Sequence, residues 1–135
     1  MYINTKTLSS SLKTHIFLQA RINSTRLPGK VLKKICGKSV IELLLERLSN
    51  VKNVDKIILL TGSVKKNRLL VEEAKKLNLQ YFCGNEENIL DRFYNAAKEF
   101  SSDIIIRITA DCPLIDYNLI NKGIDIFLKK DCVSI

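Results

Sequence analysis

Between residues 19 and 30 the chain reads QARINSTRLPGK. Arg21, Arg26 and Lys30 fall on one short path with Ser24 between them, and Pro28-Gly29 turns it. Two planar guanidinium forks, an ammonium and loop N–H groups suit a polyanion, and a nucleoside triphosphate with its about four negative charges is such a target. Each charge-assisted hydrogen bond is worth roughly 1.5–3 kcal/mol, so a single arginine would matter to affinity. The same three cations are also compatible with an ordinary solvated loop.

A second stretch, RITADCPLID, places Asp111 just past an apolar run and two residues before Pro113. A carboxylate facing a cationic phosphate loop suggests a Mg²⁺ ligand, because that ion is held by one or two carboxylates plus substrate phosphates. The alternative is a turn residue ahead of proline. A third stretch, LKKICGKS, nearly spells a phosphate-binding P-loop. Leu32 stands where the first glycine is required, and no strand leads directly into it, so that reading is rejected. Lys38 is placed instead on the turn before a helix starting at Ser39.

These residues need a scaffold. The chain has 135 residues, 46% of them hydrophobic, which implies one domain with an ordinary core. No window approaches the ~18 consecutive apolar residues of a membrane helix. The first residues lack the apolar block of a secretory signal and are expected to form a flexible extension over 1–14. The cysteines, Cys36, Cys83, Cys112 and Cys132, contain no C-x-x-C pair, and His15 is the one histidine. That disfavours structural zinc and a disulfide framework, and points to a reduced, cytoplasmic protein. The net charge of +8 points to an anionic partner. Much of the excess is lysine scattered over helical patterns, and no aromatics interleave a basic strand face, so neither a nucleic acid nor a membrane surface is expected as the partner.

Strand and helix signals alternate. Apolar runs at 15–20, 55–62, 80–84 and 103–110 read as strands. Helical spacing follows at 39–50, 66–78, 86–100 and 116–130, with Ser39 as an N-cap three residues before Glu42. Leu69, Leu70, Ala74 and Leu77 are expected on the apolar side of the second helix, and Ile89, Leu90, Phe93 and Ala97 on that of the third. Phe93 and Tyr94 are expected in the core, and His15 is expected to be structural or exposed. From Arg21 to Lys38 no clear helix or strand is legible. The alternation predicts an α/β fold: a mostly parallel sheet with helices on both faces and ligands beyond the carboxyl ends of the strands. The cationic loop and Asp111 both sit at those ends.

Taken together, QARINSTRLPGK, GNEENILDRFYNAAKE and RITADCPLID resemble the cytidylyltransferase family of sugar-nucleotide enzymes, over about residues 15 to 134. That family includes the CMP-Kdo and CMP-sialic acid synthetases, and the likeness is strongest to the branch of spore coat polysaccharide biosynthesis protein F. The resemblance implies a Rossmann-like nucleotide-diphospho-sugar transferase fold. It implies transfer of a cytidylyl group from CTP to a sugar or sugar-acid hydroxyl with release of pyrophosphate. Carried over by position, Arg21, Ser24, Arg26 and Lys30 hold the triphosphate, with Arg21, Lys30 and Asp111 at the reacting phosphate. The backbone near Gln19 and Ala20 lies by the base, and Asp111 binds Mg²⁺. Asp91 and Arg92 contact nucleotide or sugar on this reading, or form a solvated helix face on the bland one. Thr109 helps to shape the pocket, and no histidine stands where a general base is needed.

Members of that family continue well beyond position 135, and their C-terminal part supplies acceptor contacts, a second metal aspartate and much of a dimer interface. The expectation is therefore an incomplete family domain over 15–135 that keeps a nucleotide site with weak or no turnover. A homodimer is the candidate assembly. The rival readings are a non-catalytic nucleotide-binding or interaction module, and a basic domain that binds nucleic acid.

Overall fold

An apolar run without polar alternation must be covered on both faces. Thr14–Gln19 (β1) is such a run, and its first five residues are buried in the computed structural model, which describes residues 12–23 and 26–129. The chain then forms a small antiparallel pair, Lys34–Ile35 (β2) and Lys38–Ser39 (β3). Helix Val40–Leu48 (α1), strand Lys56–Thr61 (β4) and helix Val64–Lys76 (α2) follow. Strand Gln80–Cys83 (β5), helix Ile89–Phe100 (α3), strand Ile104–Thr109 (β6) and helix Tyr117–Lys129 (α4) complete the order. The main sheet runs β5-β4-β1-β6, and every pairing is parallel.

The core is split by this sheet. On one face Ile16, Leu18 and Leu59 pack with Ile41, Leu44 and Leu48 of α1 and with Leu70 and Ala74 of α2. On the other, Phe17, Ile58 and Leu60 pack with Ala96, flanked by Phe93, Ala97 and Phe100 of α3. Burying each such side chain contributes about 1.5–3 kcal/mol. Phe17 and Phe93 meet edge to face with centroids 5.7 Å apart. The expected layered α/β architecture is therefore present, and it brings the carboxyl ends at Gln19, Thr61, Cys83 and Thr109 to one end of the molecule.

Several local expectations change. The stretch 21–38 contains a short 3₁₀ turn at Lys30–Leu32 and the β2–β3 hairpin. The hairpin turns on Cys36 and Gly37, both at positive φ (51° and 84°), as a two-residue loop requires. Lys38 lies in β3 and pairs with Glu46. Ser39 is the N-cap of α1, accepting from the Glu42 N–H at 3.3 Å. Helix α2 is kinked at Asn67 (φ −119°, ψ 25°). The buried stripe is Asn67, Leu70, Val71 and Ala74 at ordinary helical spacing, and Leu69 lies off it and is exposed. In α3 Arg92 and Ala96 are buried and Phe93 and Ala97 partly buried, so Ile89, Leu90 and Tyr94 fall outside this stripe and are exposed, the last two at 80% and 65%. Tyr94 is not a core residue. His15 is buried, with Nδ1 2.6 Å from Ser102 Oγ. The proposed extension over 1–14 lies mostly outside the described residues, and Thr14 already belongs to β1. Among the described residues no helix is long and apolar enough to cross a membrane.

Candidate functional site

At the carboxyl ends of β1 and β6 a polar cavity of about 220 Å³ is lined by Gln19, Ala20, Arg21, Arg26, Lys30, Val31, Arg92, Thr109, Ala110 and Asp111. Two larger depressions, of about 510 and 500 Å³, lie between α1 and the β4 and β5 starts and between β6 and α4. Their walls are largely aliphatic and lack converging charge, so the chemistry belongs to the smaller one.

The cationic loop reaches this cavity because its neck is closed. Gly29 N–H donates to Ile22 O at 2.9 Å, and Ile22 itself packs on the core. Gly29 is at φ 67°, a conformation that a side chain would strain, which explains glycine after Pro28. Arg21 enters the neck, Arg26 lies within the loop, and Lys30 leaves it on the 3₁₀ turn. Arg21 and Arg26 are exposed and have no hydrogen-bond or ion-pair partner among the described residues, so both guanidinium forks are available. Lys30 Nζ lies 3.1 Å from Asp111 Oδ2, across the mouth between β1 and β6. The Thr109 hydroxyl and the Lys30 ammonium hold the Asp111 carboxyl below the usual carboxylate range.

Arg92 is in the lining but is nine-tenths or more buried. Its Nε donates to Asn85 O at 2.9 Å and one Nη to Glu86 O at 3.0 Å. Burial, and beyond it the charge of Arg21, lowers its pKa against the pull of Glu86. Its main work is thus to brace the loop after β5, with its charge felt at the cavity wall. Asp91 is not in the lining; its carboxylate accepts from Asn95 one turn on. Ser24 lies outside the described residues.

Two features were not anticipated. Arg107 lies beside the cavity, its Nε donating to Gln19 Oε1 at 3.1 Å and its guanidinium 5.8 Å from the Phe93 ring centroid. Asn67 and Glu86 form a polar knot behind the loop neck. A polar residue on the apolar face of the second helix was the available signal for Asn67.

Among the described residues no three His, Cys, Asp or Glu side chains converge as a metal-binding group. Asp111 is the one carboxylate in the cavity lining. A single carboxylate beside a cluster of cations could share a hard cation with substrate oxygens, and does not fit an all-protein metal cage.

Comparison with known proteins bears on the family and the fold. The family model described as cytidylyltransferase matches residues 15–134. The spore coat polysaccharide biosynthesis protein SpsF of Bacillus subtilis is 32% identical over 108 residues, covering 77% of this chain and 45% of SpsF. A cytidylyltransferase structure from Leptospira borgpetersenii superposes with a TM-score of 0.83 at 36% identity, over 88% of this chain and 50% of that one. A CMP:2-keto-3-deoxy-manno-octonic acid synthetase solved with CTP shares the fold, with a TM-score of 0.78 at 23% identity, over 89% of this chain and 49% of that one. The chain thus spans about half the length of the relatives it matches.

Proposed function

Since this chain belongs to the cytidylyltransferase family, we propose that its cavity binds CTP and directs transfer of CMP to a sugar or sugar-acid hydroxyl. The observation that carries this reading is the convergence of Arg21, Arg26 and Lys30 with Asp111 at the carboxyl ends of β1 and β6. In the reaction the acceptor hydroxyl gives up its proton to water as its oxygen attacks the α-phosphorus in line, the bond to the oxygen bridging the α- and β-phosphates breaks, and pyrophosphate leaves. Arg21, Arg26 and Lys30 bind the phosphate oxygens and offset the charge that grows on the departing pyrophosphate. The backbone at Gln19 and Ala20 borders the base. Asp111 would hold a Mg²⁺ ion, which would supply further charge stabilisation to the transferred group. The product is a CMP-sugar, the kind of activated donor used for surface polysaccharides.

Calorimetric titration with CTP, ATP, GTP and UTP in Mg²⁺ tests the reading. CTP should bind, and Arg21→Ala should weaken it about tenfold, the loss of one charge-assisted contact. A folded chain that takes none of the four nucleotides refutes it. A second reading, a nucleotide-binding module without turnover, is favoured by the cavity lining, in which Asp111 is the one carboxylate. Pyrophosphate release in the presence of candidate sugar acids separates the two: CTP binding without release supports the module.

A further inference from the structure

We infer that Asn67 is the positioning residue of the cationic loop, acting through a buried carboxamide that ties the loop neck to Glu86. The inference deepens the nucleotide-binding reading above, since it concerns how the same loop is held.

Asn67 is 1% exposed and sits at the kink in α2. Its Oδ1 accepts the Ile22 N–H at 3.1 Å. Its Nδ2 donates to Ser63 O at 3.1 Å and to Glu86 Oε2 at 3.2 Å. The same Glu86 oxygen accepts the Ser63 N–H at 2.8 Å. Ile22 also carries the carbonyl that closes the loop neck through Gly29. One side chain therefore joins the loops after β1, β4 and β5.

The chemistry of the pairing is directional. The neck needs an acceptor and Glu86 needs a donor, and a carboxamide presents both on one short side chain. The bond to Ser63 O lies within the first turn of α2, beside the backbone bond that the Asn67 N–H makes to the same carbonyl. Ile22 follows Arg21 directly, so the position of the first guanidinium is set by where the neck is held. Loop cations that repel one another gain from such an anchor, because a loose neck would let them separate before an anion arrives.

The test breaks the clamp from each end and restores it with a conservative variant. Asn67→Asp keeps an acceptor for Ile22 but sets a carboxylate against Glu86 and the Ser63 carbonyl. Glu86→Ala removes the acceptor shared by Asn67 and Ser63, whereas Glu86→Gln keeps an oxygen that accepts from both. Backbone amide exchange at Ile22 and Gly29, followed by NMR, should quicken at least tenfold in Asn67→Asp and Glu86→Ala and stay within about threefold of the parent in Glu86→Gln. Phe17 and Leu59 in the sheet should keep their protection throughout. CTP affinity in Mg²⁺ should fall and recover in parallel. Unchanged exchange in Asn67→Asp and Glu86→Ala overturns the inference. So does equal loss of protection in loop and sheet. If the exchange pattern appears but the parent chain binds no nucleotide, the clamp stands and the nucleotide reading falls.

Discussion

Asp111→Asn should change CTP affinity in opposite directions with and without Mg²⁺. In the free protein the carboxylate lies 3.1 Å from Lys30 Nζ, with the two side chains 47% and 32% exposed. An ion pair this solvated contributes about 0–1 kcal/mol to stability, so the amide should lower the melting temperature by no more than about 5 °C. A triphosphate seated on Lys30 brings negative charge close to the same carboxylate. One unit charge at ~6 Å with an effective dielectric of about 40, between water and a surface pair, costs roughly 1.4 kcal/mol. Without metal, removing that charge should therefore tighten CTP binding about tenfold. With Mg²⁺ the carboxylate becomes an attractive partner of the metal–nucleotide complex, and its loss should weaken binding by about tenfold or more. Calorimetric dissociation constants in EDTA and in Mg²⁺, for the parent and the variant, give the two signs. A change in the same direction under both conditions would refute a metal role for Asp111. A collapse of thermal stability would show that the carboxylate is structural instead.

Three further outcomes follow from the packing around the site. Arg92→Lys should destabilise the fold by about 1–3 kcal/mol in urea unfolding, because an ammonium cannot reproduce the guanidinium contacts to Asn85 O and Glu86 O; unchanged stability would show that those contacts are dispensable. Gly62→Ala would drive a Cβ into the Glu86 carboxylate. It should cost about 1–3 kcal/mol and loosen the loop as Glu86→Ala does, whereas an effect confined to stability would separate Gly62 from the site. His15 is held below its ordinary 6.5 chiefly by burial, with Lys56 and Lys13 also lowering it and Asp55 and Asp103 opposing. The unfolded chain then binds its proton first, so stability is complete above about pH 6.5 and falls as the pH drops from there towards the folded-state pKa. Urea midpoints at pH 7 and pH 5 should show that loss in the parent and not in His15→Gln.

The sequence was most informative where one residue type served both fold and site. The apolar runs ending at Ala20 and Ala110 placed the sheet, and the polar residues that follow them had to lie at its carboxyl end. Arg21, Arg26, Lys30 and Asp111 were therefore legible together. Asp91 and Arg92 were carried over together from the family resemblance, but neighbours on a helix point in different directions. Arg92 turned inward to backbone carbonyls, and Asp91 stayed on its own helix. The Cys36-Gly37 hairpin was missed because cysteine is an unusual residue at positive φ. Leu69 and Tyr94 were misplaced for a different reason. The buried stripe of α2 runs through the polar Asn67, which leaves Leu69 beside it, and Tyr94 depends on which stripe of α3 meets Phe17. A stripe that includes a buried polar residue is not legible from the hydrophobic residues alone.

The charge of the molecule divides into two populations with different consequences. Lys65, Lys66, Lys75 and Lys76 are exposed along α2, where solvent and salt screen them. Arg21, Arg26, Lys30 and Arg92 share one cavity with Asp111, four cations against one carboxylate. Their mutual repulsion must be borne by covalent and hydrogen-bonded structure: the Gly29–Ile22 neck, the Asn67 carboxamide and the carbonyls that hold Arg92. An entering polyanion relieves that repulsion without requiring the cations to be gathered first, which is the electrostatic meaning of a preorganised site. Neutralising Lys65 and Lys66 should accordingly leave CTP affinity within about twofold, while neutralising Arg26 should lower it about tenfold. Equal effects from the two sets, measured at the same ionic strength, would mean that overall charge and not this cavity governs nucleotide binding.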